Sequence, residues 1–139
     1  MANTVHGAYL EAEILSADPV KLVTILYRAA IEAVGAARQH LKAGFIRERS
    51  RRITKASEII HELRRSLDHN QGGEISRSLA ELYEYMQTRL IEANTKQIDP
   101  PLAEVEKLLS TLLDAWHAAT PVAAPRPVEP AYVPVRCTY

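Results

Sequence analysis

Apolar residues recur with a helical period in four segments of the chain, and turn residues separate the segments. The first segment starts at Asp18-Pro19, a helix cap with proline at the first helical position, and stops before Gly44. The second runs from about residue 47 to 67, and the third from about residue 74 to 94. The fourth starts at Asp99-Pro100. No strand-like alternation interrupts them, so the pattern predicts an all-α fold, an antiparallel up-and-down four-helix bundle.

The residues outside these segments suggest a division into three parts. We expect an N-terminal apolar arm over residues 1–17 and a bundle over residues 18–119. Residues 120–139 have no helical period and are rich in proline, which predicts a disordered tail. Four apolar residues on the helical stripes are predicted to lie in the core of the bundle: Leu63, Leu82, Leu109 and Trp116.

The first helix is apolar on more of its circumference than a surface helix requires. At about 100° per residue, its apolar residues cover roughly 240°, whereas an arc of little more than about 100° is usual. Leaving Val23, Tyr27, Ile31 and Val34 in water would forgo about 1.5–3 kcal/mol each. Two interpretations remain open from the residues alone. Either the second face is a groove for a partner, or this helix is central and its own bundle covers both sides.

Composition excludes several classes of protein. Seventeen basic and seventeen acidic residues balance, so no overall field favours nucleic acid or an anionic membrane. No apolar run is long enough for a membrane span, and the N-terminus lacks the features of a signal peptide. The single cysteine, Cys137, has neither a disulfide partner nor a ligand set. We therefore expect a cytoplasmic protein that does not insert into membranes.

Two polar patterns resemble functional sites but have simpler explanations. The carboxylate–histidine spacing of di-iron bundles occurs twice, in Glu58 with His61 and in Asp114 with His117. On the helical wheel these side chains point away from the apolar stripes. The basic stretch 47–55 lacks interleaved aromatic residues and is read as a solvated helix face. We expect no enzyme activity, metal, cofactor or nucleic acid.

Three stretches identify a family resemblance when they are taken in order along the chain. "LSADPVKLVTILY" (15–27), "SLDHNQGGEISRSLAELYEYMQTRLIEAN" (66–94) and "LLDAW" (112–116) resemble the flagellar secretion chaperones of the FliS family. The family commonly reads L-Y-D-G where this chain has Leu26-Tyr27-Arg28-Ala29, and the tail beyond Thr120 lies outside its pattern. The resemblance implies a non-enzymatic helical bundle that binds the disordered C-terminal region of flagellin in an extended, wrapping mode.

The resemblance implies a function for the second apolar face of the first helix. A groove there would hold the flagellin segment, prevent premature polymerisation in the cytoplasm and keep flagellin competent for flagellar type III export. We expect the arm, through Tyr9 and its neighbours, to cover this groove when flagellin is absent. The residues predicted to bind flagellin are Tyr9, Val23, Tyr27, Ile31, Val34, Tyr83, Gln87, Ile91 and Asn94.

Other assemblies remain open. Components of the flagellar export apparatus are further candidate partners, and the protein is expected to be a monomer or a weak homodimer. The alternative is a homodimeric helical-bundle adaptor that pairs its second face with its own copy and has no chaperone activity.

Overall fold

A computed structural model of the chain describes residues 18–67 and 72–119. The described residues form four helices and no strand: α1 (Pro19–Ala43), α2 (Ile46–Arg65), α3 (Glu74–Lys96) and α4 (Pro100–Ala119). The predicted all-α fold is confirmed, and the predicted ends of α2 and α3 lie within two residues of those observed. The predicted arm and tail lie outside the described residues.

The ends of α1 follow directly from its capping residues. The Asp18 carboxylate accepts a hydrogen bond from the Lys21 backbone N–H at 2.8 Å and so satisfies a donor that has no partner within the helix. At the other end, Gly44 has φ 81°, a left-handed conformation that side chains with a Cβ rarely adopt. Because only Gly44 and Phe45 separate α1 from α2, the two helices are antiparallel neighbours.

The four helices form a closed ring in which each packs against two others. α1 packs chiefly against α2 and α4, and α3 packs against the same two helices. Contacts at both ends show that α1 and α4 are antiparallel: the Trp116 indole N–H donates to the Thr24 hydroxyl at 3.2 Å, and Arg38 binds Asp99 beside the start of α4. The arrangement is the predicted up-and-down bundle.

The core lies along the axis of the ring and is almost entirely apolar. Of the four residues predicted to be in the core, Leu63 and Leu109 are buried, whereas Leu82 and Trp116 are only partly buried and pack against the margin of the core. Buried alanines on α1 and α2 allow these helices to approach closely: Ala30, Ala33, Ala37 and Ala56. The largest fully buried side chains are Ile60, Leu63, Met86, Leu90, Leu102, Leu109, Val34 and Val105.

Two groups of ion pairs fasten α4 to its neighbours. Arg38 of α1 binds both carboxylate oxygens of Asp99, at 2.8 and 2.9 Å, and reaches Glu106 at 2.7 Å. Arg89 of α3 binds Glu104 at 2.6 Å and Glu92 at 2.7 Å. The hydrogen bonds from Arg89 hold the pKa of both of these carboxylates below its ordinary value. Since these groups are partly exposed and solvent screens their charges, the pairs contribute little to the stability of the fold.

Candidate binding cleft

The second apolar stripe of α1 is covered by the bundle itself. Tyr27 and Val34 of α1 and Tyr83 of α3 retain only 4, 0 and 2% of their surface and belong to the core. Their predicted placement in an open groove is therefore wrong. The physical reason is that α1 has two neighbours, α2 and α4, so a wide apolar arc is needed simply to pack it. The interpretation of α1 as a helix covered on both sides accounts for its composition.

Tyr27 and Tyr83 meet inside the core. Their hydroxyl oxygens are 2.5 Å apart, and one hydroxyl donates to the other. Burial raises the pKa of both phenols because it disfavours the charged phenolate. The pair links α1 to α3 across the interior, so these tyrosines have a packing role that the helical wheel did not reveal.

The other predicted residues of α1 do not form an open groove either. Val23 and Ile31 are partly buried and pack against the core. They are not among the residues that line the cleft described below. Tyr9 lies outside the described residues.

A cleft of about 800 Å³ lies on the surface formed by α1, α2 and α3. It includes three of the predicted site residues, Gln87, Ile91 and Asn94, all on α3. Helix α2 supplies much of the lining, although the outer face of this helix is polar in sequence and so did not predict a cleft. The main apolar lining residues are Ile25, Leu26 and Ala29 of α1, Ile53 and Ile59 of α2, and Leu90 and Ile91 of α3.

Ile91 is the most exposed apolar side chain of the cleft. It retains 66% of its surface, whereas Leu26, Ile53 and Leu90 beneath the cleft are buried. A large apolar side chain above a buried apolar floor is typical of a site that a partner covers. Ile75, on the same helix, is 72% exposed but does not line the cleft, so a substitution at Ile75 is a matched control for the same substitution at Ile91.

The side-chain amides of Gln87 and Asn94 each form hydrogen bonds within the protein through only one of their two polar atoms. The Gln87 amide N–H donates to the Ser57 carbonyl at 3.1 Å. The Asn94 amide oxygen accepts from the Ser50 hydroxyl at 3.0 Å and from the Arg49 guanidinium at 3.2 Å. The other end of each amide has no hydrogen-bond partner among the described residues. Gln87 thus retains an acceptor and Asn94 a donor, which are the two groups that an extended peptide backbone requires.

The spacing of these two amides suits an extended chain. Seven residues of α-helix span about 10 Å. The same distance corresponds to about three residues of extended backbone. A segment lying along α3 could therefore contact both amides while placing an apolar side chain beside Ile91.

The described residues contain no cluster suited to a metal. No group of three or more His, Cys, Asp or Glu side chains is close enough within 18–67 and 72–119 to hold a metal ion. Glu58 and His61 are exposed at the cleft, and Asp114 and His117 are exposed on α4. None of the described helices has the length and apolar character needed to cross a bilayer.

Comparison with known proteins gives consistent matches along the chain. The family model described as flagellar protein FliS matches residues 1–123. A flagellar secretion chaperone FliS of Salmonella typhimurium is 37% identical over 116 residues, which cover 83% of this chain and 86% of that protein. FliSB of Pseudomonas aeruginosa is 38% identical, with coverage of 77% and 85%. FliS of Bacillus subtilis is 33% identical, with coverage of 82% and 84%.

Proposed function

Because this chain belongs to the FliS family of flagellar proteins, we propose that it is a flagellar secretion chaperone whose cleft binds the C-terminal region of flagellin. The observation that carries the proposal is the apolar cleft on α1, α2 and α3, with Ile91 exposed above a buried floor. The unused amide groups of Gln87 and Asn94 support an extended peptide as the ligand, since they match the hydrogen-bonding groups of its backbone.

A cleft lined by three helices suits a chaperone that holds its ligand in extended form. An extended flagellin segment bound along the helices buries the apolar side chains that would otherwise drive assembly with other flagellin molecules. Because the bound segment adopts no compact fold, it remains threadable through a narrow export channel. Ordering a flexible segment costs free energy, so affinity arises from a long contact rather than from a deep pocket.

The proposed mechanism includes no chemical step. Flagellin would bind before export, in the cytoplasm, and leave when the export apparatus competes for the same segment or receives it. Release by competition requires that the contact consist of many weak interactions, so that the segment detaches progressively. A cleft lined by residues of three helices supports this kind of contact.

The test replaces Ile91 by Asp and measures binding of a peptide from the flagellin C-terminal region by titration calorimetry. Loss of an apolar contact worth about 1.5–3 kcal/mol should weaken binding by about tenfold or more. Ile75→Asp is the control, because it makes the same change at an equally exposed position of α3 outside the cleft. Neither substitution should move the thermal midpoint appreciably, since both side chains are exposed.

Three results would contradict the proposal. Equal binding by the two variants would show that the cleft is not the site. Equal weakening would indicate a general effect of the added charge. If the unmodified protein does not bind the peptide but sediments as a dimer that Ile91→Asp dissociates, the homodimeric adaptor is the better description.

A further inference from the structure

The first half of α2 carries a row of basic side chains on its outer face. Arg47, Arg51 and Lys55 follow one another at intervals of four residues, which places them on one side of the helix. All three are exposed. They line a second surface depression of about 790 Å³, together with Ile46 and with Glu58 at its far end. We call these three basic residues the cationic row.

The cationic row has no acidic partner among the described residues. Elsewhere in the bundle, Arg38, Arg65 and Arg89 each bind a carboxylate within 3.0 Å. Glu58 is three residues after Lys55, a spacing that permits ion pairs on a helix. Even so, Arg47, Arg51 and Lys55 form no ion pair with any residue of 18–67 or 72–119. The chain as a whole is neutral, so this concentration of unpaired positive charge is local.

The start of α2 has no acidic cap. Phe45 occupies the N-cap position and makes no side-chain hydrogen bond to the first turn. Glu48 in the first turn offsets part of the positive end of the helix dipole, but Glu48 does not line the depression. Phe45 and Ile46 are 55 and 56% exposed and offer apolar surface beside the cationic row. Positive charge next to exposed apolar surface matches a segment that carries both acidic and apolar side chains.

We propose that the cationic row is a second binding site, which takes an acidic segment of a protein partner in extended conformation. Basic side chains four residues apart on a helix are separated by about 6 Å along its axis. Alternate side chains of an extended chain lie about 6.6 Å apart. Acidic residues at every second position of such a segment therefore match the row, and the residues between them point away from it into solvent.

The row favours a short acidic peptide over nucleic acid. Glu58 lies at the end of the depression beyond Lys55, so a continuous phosphate backbone would meet a carboxylate there. The basic track is only about 12 Å long, because Lys55 lies eight positions after Arg47 on the helix. The site adjoins the cleft proposed for flagellin, because Thr54, Lys55 and Glu58 line both depressions. Arg47 and Arg51 line only the second depression, so substitutions at these two positions test the cationic row separately.

The test uses a labelled synthetic peptide in which glutamate alternates with serine, and a matched peptide in which glutamine replaces glutamate. Fluorescence anisotropy should show that the full-length chain binds the glutamate peptide about tenfold more tightly than the glutamine peptide. The double variant Arg47→Glu/Arg51→Glu should weaken glutamate-peptide binding by about tenfold or more. Its effect should shrink as ionic strength rises.

The control variant is Arg77→Glu/Lys107→Glu, which makes the same change in net charge. Both of these side chains are exposed, on α3 and α4, and neither lines either depression. This variant should change affinity for the glutamate peptide by less than about twofold, because surface charges beyond the screening length contribute little. Arg47→Glu/Arg51→Glu should leave binding of the flagellin peptide unchanged. The two measurements therefore test the cleft and the cationic row separately, and either proposal can fail without the other.

Several outcomes would overturn the proposal. Equal weakening by the two double variants would show only a general charge effect. Tighter binding of a single-stranded oligonucleotide, lost in Arg47→Glu/Arg51→Glu, would make the row a nucleic-acid site. Self-association that this variant abolishes would make a second copy of the chain the occupant. Absence of binding to the glutamate peptide at low salt would remove the site altogether. If the charge-reversed variant does not fold, Arg47→Gln/Arg51→Gln answers the same question.

Discussion

The hydrogen-bonded tyrosines in the core provide a sharp test of the packing. Tyr27 and Tyr83 are 4 and 2% exposed, and each hydroxyl has only the other as a hydrogen-bond partner among the described residues. Replacing one of them by Phe removes the bond and leaves the remaining hydroxyl buried without a partner. That hydroxyl costs about 1–3 kcal/mol, so each single variant should lose roughly this much free energy of unfolding.

The double variant Tyr27→Phe/Tyr83→Phe should behave differently from the sum of its parts. It leaves no buried hydroxyl without a partner, and its remaining cost is the lost bond and the small void left by two oxygen atoms. We expect it to be no less stable than either single variant, which implies a coupling energy of about 1–3 kcal/mol. Urea denaturation followed by circular dichroism at neutral pH measures all four proteins. Additive losses would refute the arrangement of these side chains.

The same pair should make the fold sensitive to alkali. An unfolded tyrosine releases its proton near its ordinary pKa of 10.0, whereas burial raises the pKa of both phenols in the folded protein. Above that pH the unfolded state binds fewer protons than the folded state, so the free energy of unfolding falls as the pH rises. The double Phe variant should show a shallower decline, and an unchanged slope would indicate that the hydroxyls are accessible to water.

Three further predictions concern the core, the ion pairs and the arm. Leu109→Ala should cost about 2–5 kcal/mol in urea denaturation because Leu109 is fully buried, and a loss below about 1 kcal/mol would contradict the helix register. Arg89 lowers the pKa of Glu92 and Glu104 in the folded state, so the fold loses stability when these carboxylates become protonated below about pH 4.5. Arg89→Met should reduce this loss. An unchanged acid transition measured by circular dichroism would contradict the prediction. Deleting residues 2–13 should tighten flagellin binding in calorimetry if the arm competes for the cleft, whereas weaker binding would make the arm part of the site.

The helices were predictable because their ends are marked by local chemistry. Asp18-Pro19 and Asp99-Pro100 favour helix starts, and Gly44 supplies a conformation that ends α1. These signals act within a few residues and do not depend on the rest of the fold. The stripe on each helix then indicates which side faces the core, and Leu63 and Leu109 were placed correctly on that basis.

The candidate site was harder to predict because it depends on which helices are neighbours. The width of the apolar arc of α1 is the same whether a partner or α4 covers part of it, so the helical wheel alone could not assign Tyr27 and Val34. The contribution of α2 was missed for a related reason. Its outer face is polar in sequence, but it adjoins Ile91 across the gap between α2 and α3. Gln87, Ile91 and Asn94 were predicted together because they share one face of α3, and all three line the cleft.

The ring closes where α1 meets α4, and this closure has a consequence for engineering. Thr24 near the start of α1 bonds Trp116 near the end of α4, so residues 18 and 119 belong to the same end of the bundle. The connection between α1 and α2 lies at the opposite end. A short linker could therefore join residue 119 to residue 18, with new termini opened between α2 and α3 in a circular permutant. Such a permutant would keep all four helix contacts while separating the bundle from its flanking segments.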